Sequence, residues 1–370
     1  MAKCGSKGEA ETYSRWLIRV CKSNEEAEVR GRSLVTMFLA GVCVLAAVGV
    51  ASGSPTTSSA SGKRAAISVT YSTSFGNFGR DAYAWVALEK GYFSDAGFDV
   101  KIVPGAGSVA VAQAIGAGSV DFGPADVAAV VLSRAESGIP VKVVALIQQN
   151  TMAAFLALKS SGIAKPADLA GKTFADTPGS TVAVLLPLYA KRAGFDASTV
   201  KFVPSTPPAL PSLLASKRVD AVGQFTVGIP AFRAATGQEI VSLPYAKVVP
   251  GLMGLGLIAS DKMISERPDD VRKFAAALLK GERWALDNPG AAGAILNKNV
   301  PLQNPVIAAN ELRIMKKYAV TPDVNKYGFG VIDRTRFAST ISIVNNFFKP
   351  KTRLTVSDVY ASGFAPTKTN

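Results

Sequence analysis

The chain has 370 residues, 48% of them hydrophobic and 18% charged, a formal net charge of +14 and no histidine. Such a length accommodates two packed units, and the apolar content is too high for a disordered chain. The missing histidine excludes a Ser-His-Asp triad, a Cys-His pair, a histidine general base and a His-ligated metal. Cys4, Cys21 and Cys43 are the only cysteines. The rest of the chain therefore has no disulfide, thiolate nucleophile or soft-metal site. No Asp-rich loop with calcium spacing occurs either, so neither metal nor cofactor is expected.

Residues 33–62 carry no charge, and Leu34 to Ala51 form an apolar run of 18 residues behind Arg30 and Arg32. Small residues, Ala51-Ser52-Gly53-Ser54, follow at once. A basic flank, an apolar stretch and a small-residue end predict a secretory signal cleaved between about Ala51 and Ser54. The alternative is a single membrane anchor, since 18 residues just span a bilayer. A start at Val29 would make the signal compact. Cys43 follows Val42, not the small residue that lipid attachment wants, so no lipid anchor is expected. The exported part, residues 54–370, holds 34 basic and 22 acidic side chains. They are scattered, without the basic-aromatic runs of a nucleic-acid binder.

An internal repeat organises the next two hundred residues. AGFDVKIVP at 96–104 returns as AGFDASTVKFVP at 193–204, and AQAIGAGSVDFG at 112–123 matches SLLASKRVDAVG at 212–223. Val120-Asp121 and Val219-Asp220 fall at equivalent places. Upstream, residues 66–94 and 172–192 each show an apolar strand, a polar loop and a helix. Each copy thus predicts a βαβαβ unit with parallel pairing. A period near 100 means two similar lobes, because solenoid repeats are far shorter.

Ligands of open parallel sheets sit at the carboxyl ends of the strands. The repeat therefore nominates six loops: 72–81, 105–108 and 123–126 in one copy, 176–181, 205–208 and 224–226 in the other. Downstream, 251–259 reads as a strand, and 268–287, 304–318 and 333–348 read as helices. Val271, Phe274, Ala275 and Leu278 share a face of the first helix, as core residues do.

ALEKGYFSDAGFDVKIVPGAG, IGAGSVDFGPAD, SGIAKPADLAGKTFADTPGST and SKRVDAVGQF make the chain resemble the periplasmic solute-binding proteins of ABC importers. The similar group is the nitrate/sulfonate/taurine and thiamine-pyrimidine-precursor binding family. The resemblance implies an α/β, two-lobed periplasmic binding protein fold (type II-like), each lobe a parallel-rich sheet flanked by helices. Two crossovers, near 148–154 and 249–256, would form the hinge. Lobe one would comprise 66–150 plus 252–370 and lobe two 151–251, after an N-terminal extension and signal peptide at 1–53 (the signal itself about 29–53) and a linker 54–65. It further implies a periplasmic or cell-surface monomer that delivers a small-molecule solute to an ABC permease in the membrane, with no nucleic acid involved. The alternative is an exported enzyme of the same fold, similar to a pyrimidine synthase that consumes its own histidine. The absence of histidine, and of cysteine after residue 43, argues against it, so no catalytic residue is assigned.

The candidate ligand-binding residues are Ser72, Ser74, Phe75, Asn77, Phe78, Arg80, Ser108, Asp126, Gln149, Thr177, Ser180, Thr181, Thr206, Gln224 and Phe225. Hydroxyls and amides orient a polar solute, phenyl rings stack on a planar one, and Arg80 can fork onto a carboxylate or sulfonate. Each has a plainer alternative. Ser180 or Thr181 can cap a helix, Asp126 and Asp176 can do the same, and Arg80 can be a surface arginine. A small planar or anionic organic solute is expected. Ser180→Ala and Phe75→Ala should weaken its binding and leave thermal stability nearly unchanged.

Overall fold

The computed structural model describes residues 65–366. The signal segment, its cleavage region and the three cysteines fall outside the described residues. Strands β1 (Ile67–Ser72) and β2 (Phe98–Val103) pair in parallel, from Ile67 opposite Phe98 to Ser72 opposite Val103. A parallel bridge from Tyr71 to Phe122 joins them to β3 (Gly123–Asp126). In the second copy, β6 (Thr173–Asp176) lies between β7 (Lys201–Pro204) and β8 (Ala221–Phe225), parallel to both. The orders β2-β1-β3 and β7-β6-β8 are the same, which is the repeat in three dimensions.

The repeated aspartates explain part of its sequence. Asp121 accepts the Thr70 N–H and Asp220 the Thr173 N–H, each at 2.8 Å. In return, the Asp121 N–H bonds to Thr70 O at 2.9 Å and the Asp220 N–H to Thr173 O at 2.8 Å. Each aspartate therefore locks the turn entering the third strand of its unit onto the first strand.

Each sheet also contains an antiparallel strand that the repeat does not predict. β5 (Ala153–Leu158) lies between β8 and β9 (Ile240–Pro244), and β10 (Leu255–Ser260) lies between β3 and β4 (Val141–Leu146). All six residues of β5 are buried, as an unbroken apolar run in a central strand should be. β10 begins at Leu255 and not at Gly251, and Ala153-Ala154 belong to a strand and not to the crossover. The two sheets are linked by 147–152 and 249–254. These segments run side by side, with the Thr151 N–H on Leu252 O at 3.3 Å and the Ile147 N–H on Leu255 O at 2.9 Å.

The C-terminal helices complete the first sheet. The Pro268–Asp287 helix buries Val271, Phe274, Ala275 and Leu278 as its periodicity predicts. Phe274 stacks on Phe122 at 4.1 Å and on Phe93 at 5.0 Å, and meets Phe98 at 5.8 Å. The Arg334–Phe348 helix ties down both links. Its Arg336 donates to Gln149 O at 3.0 Å, while the Thr340 hydroxyl donates to Gly251 O at 2.8 Å and accepts the Met253 N–H at 3.0 Å. Hydrogen bonds to charged groups contribute about 1.5–3 kcal/mol. Asp121→Ala and Asp220→Ala should therefore each destabilise the chain by about that amount in urea unfolding. Equal effects at the two sites are expected, because the two turns are built alike.

Candidate functional site

All six nominated loops meet. The loop after β1 is pinned by backbone bonds from Gly76 N–H to Gly105 O at 2.7 Å and from Gly107 N–H to Ser74 O at 2.9 Å. It ends in the tight turn Gly79–Asp81, which lies against the Pro305–Ala319 helix. A Cβ on Gly79 would lie 2.3 Å from Ala308 Cα, so only glycine allows this approach. One turn further along that helix, the buried Glu311 carboxyl accepts the backbone N–H groups of Gly79 and Arg80.

That turn holds Arg80, and Arg80 is 1% exposed. The surface-arginine reading is wrong. Its Nη2 donates to Ser74 Oγ, its guanidinium carbon lies 3.8 Å from the Phe225 ring centre, and its Nε lies 3.6 Å from Asp81. Phe225 comes from the second sheet, and Phe75 meets the same ring edge-on at 5.8 Å. Phe78 stacks on Phe75 at 6.3 Å.

A second contact between the two loop sets surrounds Ser108. The Ser108 and Thr181 hydroxyls are 3.1 Å apart, and Ser108 Oγ also accepts the Asp126 N–H at 3.0 Å. The Val109 N–H bonds to Gly179 O at 3.0 Å. Gly107 has φ +116°, and a Cβ there would lie 2.7 Å from Gly179 O, so conformation and space both require glycine.

The helix caps differ from expectation. Ser180 caps the Thr181–Ala193 helix through the Ala183 N–H at 3.0 Å. Asp176 is not the cap residue: it ends β6 and its carboxylate accepts from the Ser180 hydroxyl and, at 2.7 Å, from the Thr177 N–H. Asp126 precedes the Val127–Ser137 helix and its side chain makes no capping bond. The Thr151 and Thr181 side chains instead hydrogen-bond the Asp126 carboxyl.

Burial dominates the titration of the acids. It raises Asp81 to about 6, opposed chiefly by Arg80, and Asp126 to about 7, again opposed chiefly by Arg80. Burial raises Asp176 to about 7 against the Ser180 bond, and Glu311 to about 8 against the Gly79 N–H. Several buried polar atoms have no hydrogen-bond partner in the protein: Arg80 Nε and Nη1, Asp126 Oδ2, both amide atoms of Gln148, Thr177 Oγ1 and Gln224 Nε2. Leaving such groups unpaired costs about 1–3 kcal/mol each.

Among the other candidates, Ser72 is buried but spends its hydroxyl on Thr73 O at 2.9 Å. Asn77 is half-buried beside Phe78. The Gln149 amide donates to Val331 O at 2.9 Å, on the C-terminal side, and Thr206 is exposed at the loop edge. Phe75 is buried. Losing its ring costs about 3–5 kcal/mol, and losing the Ser180 cap about 1 kcal/mol, so neither alanine variant leaves stability unchanged as expected. Thr151 and Glu311 were missed. Glu311 shares its buried helix face with Ala308, Leu312 and Met315, a spacing visible in the sequence. A separate groove of ≈ 400 Å³, between Pro230, Arg233, Ala234, Ile307 and Asn310, lies outside this cluster.

The family model described as NMT1/THI5 like matches residues 82–292. The chain belongs to the NMT1/THI5-like family. The formylaminopyrimidine-binding protein of Halalkalibacterium halodurans is 28% identical over 220 residues, covering 59% of this chain and 66% of that protein. The riboflavin-binding protein RibY of Chloroflexus aurantiacus is 30% identical over 214 residues, covering 56% and 59%. The matches thus span about three-fifths to two-thirds of these relatives. The alkanesulfonate-binding protein SsuA of Xanthomonas axonopodis pv. citri, bound to MOPS, superposes with a TM-score of 0.65 at 15% identity, over 81% of this chain and 99% of that one. This NMT1/THI5-like chain therefore has the periplasmic binding protein fold. The desulfurization enzyme DSZB also superposes, with a TM-score of 0.51 at 15% identity over 80% and 97%. The fold alone hosts both binders and an enzyme.

Acids whose folded values are raised hold their proton more tightly in the folded chain. Their contribution to stability is complete below the unfolded carboxylate value of about 4 and is lost as pH rises through the folded values. For Asp81, Asp126, Asp176 and Glu311 those values run from about 6 to about 8. The melting temperature should therefore fall between pH 5 and pH 8.5, and Glu311→Gln should shrink that fall. Scanning calorimetry across pH checks both outcomes.

Proposed function

We propose that this chain is the extracytoplasmic solute-binding component of an ABC importer, capturing a small planar or anionic organic solute between two lobes. Residues 66–150 with 252–370 would form one lobe and 151–251 the other, hinged at the links 147–152 and 249–254. The observation that carries the reading is the convergence of six loops from two like-ordered sheets on buried polar side chains. A solute reaches those side chains only if the sheets part, so uptake needs a hinge motion. The links suit that motion, being two short adjacent strips with no third chain connection between the sheets among the described residues. Binding-protein relatives support the same reading, and a membrane permease would be the partner that receives the solute.

An exported enzyme is the second reading, because the Asp126 carboxyl held at about 7 is suited to proton transfer. No histidine or thiol accompanies it in the cluster, and hydrogen bonding to a solute accounts for the same group without chemistry. Two measurements test the proposal. Small-angle scattering should show a monomer that compacts when the solute carried through purification is restored after dialysis. Mass spectrometry should recover that solute unchanged after prolonged incubation. A chain whose dimensions ignore the solute, or which converts it, would contradict the proposal.

A further inference from the structure

The two sheets are built alike, so equivalent positions can be compared within one chain. Each has five strands in matching order, β2-β1-β3-β10-β4 and β7-β6-β8-β5-β9. Their edges away from the loop cluster differ in charge. Thr70 and Thr173 hold the same bonds to Asp121 and Asp220, which fixes the correspondence. Val69 before Thr70 becomes Lys172 before Thr173, while Lys101 and Lys201 stand opposite these threonines in both sheets. In the turn into the third strand, Gly118-Ser119 becomes Lys217-Arg218. The Asp261 N–H bonds to Pro140 O at 2.8 Å, just as the Lys159 N–H bonds to Glu239 O, so a base replaces an acid there. Before the AGFD segments, at the end of a helix in each copy, Ser94-Asp95 becomes Lys191-Arg192. Of these eight positions, one is basic and two are acidic in the first sheet. In the second, seven are basic and one is acidic.

All of them lie where β6, β7 and β8 begin and β5 ends. The Lys201 N–H bonds to Lys172 O at 2.8 Å and the Asp220 N–H to Thr173 O at 2.8 Å, so these strand ends are neighbours. Adjacent strands are about 4.8 Å apart, which makes the edge about 20 Å wide. Lys159, Arg192, Lys201, Lys217 and Arg218 are exposed there. None of these five has an ion-pair partner among the described residues. The acids nearby are engaged locally: Asp168 with the Ala164 and Lys165 N–H groups, Asp196 with that of Ser198, and Glu239 with Arg233 at 3.0 Å. Lys217 also has φ 56°, in the left-handed region where the equivalent Gly118 has φ 75°. Glycine is the unstrained choice in such a turn, so this lysine is kept at a conformational cost.

The chemistry of the edge fits one kind of partner. Lysine outnumbers arginine, and lysine is a point charge on a flexible stem, without the fork that grips a single phosphate or carboxylate. The exposed large apolar side chains among the described residues are Leu302, Val306 and Tyr327, all in the C-terminal region. The edge therefore has neither an apolar anchor for a protein nor rings to stack on nucleic-acid bases. Broad negative charge without fixed geometry is what a bilayer of acidic phospholipid presents. We propose that the strand-start edge of the second sheet docks on an acidic lipid bilayer and holds the chain at the membrane surface. The docking is independent of any solute between the sheets.

The test is vesicle flotation of the full chain, reading the association that about 1 M salt reverses. Such salt screens charges beyond about 3 Å but leaves an inserted apolar segment in place. Phosphatidylcholine vesicles containing phosphatidylglycerol should bind the chain, and pure phosphatidylcholine vesicles should not. Lys217→Gly/Arg218→Ser, which copies the first sheet, should weaken binding about fivefold to thirtyfold, the worth of one to two basic side chains at an acidic surface. Its melting temperature should not fall, because glycine suits that turn. Lys159→Asp should weaken binding too, from another strand. Lys349→Gly/Lys351→Ser removes the same charge, also from a left-handed lysine, but outside the edge, and should leave binding nearly unchanged. Equal association with both kinds of vesicle, or an equal loss in the two double variants, would overturn the proposal. So would tighter binding to soluble polyphosphate than to the acidic vesicles, which would make the partner a soluble polyanion.

Discussion

Burying a guanidinium costs several kcal/mol unless other groups replace its water, and the Arg80 site is arranged around meeting that cost. The loop after β1 supplies Ser74 and Asp81, the C-terminal helix supplies Glu311, and the second sheet supplies the Phe225 ring. Only when the two sheets approach is the set complete. The environment of one charge thus couples the sheets to each other. Burial raises the values of the acids around it, and the Arg80 charge opposes that rise.

The architecture was legible because it is duplicated. Matched segments at offsets of 97 to 100 residues gave the βαβαβ units, and Asp121 and Asp220 prove to make the same bond in each. The antiparallel strands β5 and β10 were harder to see. Each pairs with residues far away in sequence, such as Ala153 with Phe225 and Leu255 with Asp126. Nothing in a six-residue apolar run says which neighbours it will have or which way it will point. The long C-terminal helices, by contrast, announced themselves by period: Pro268–Asp287 and Arg334–Phe348 lie within a residue of their expected bounds.

For the site, loop positions were readable and side-chain surroundings were not. The strand-end rule nominated the loops of Ser108, Asp126, Thr181 and Phe225, and the structure brings Ser108 against Thr181 and Asp126, and Phe225 against Phe75. Whether Arg80 pointed outward or inward depended on a helix more than two hundred residues away, through the Gly79 approach to Ala308. Gln149 and Thr206 show the converse. Both lie in the expected segments, yet one amide is tied to Val331 and the other side chain sits at the rim. Helix Arg334–Phe348 adds a feature that no motif suggested, since it grips both links between the sheets from outside. Any parting of the sheets turns about strips that this helix holds in register.

On the transport reading proposed above, Ser108 and Thr181 meet across a boundary that opens for the solute to pass. Their hydroxyls are 3.1 Å apart, close enough for a disulfide if both become cysteine. The direct measurement is solute retention in Ser108→Cys/Thr181→Cys, in a chain whose Cys4, Cys21 and Cys43 are serine. The oxidised chain should keep its carried solute through dialysis and release it after reduction. Loss of solute at the same rate before and after reduction, or failure of the cysteines to join, would contradict it.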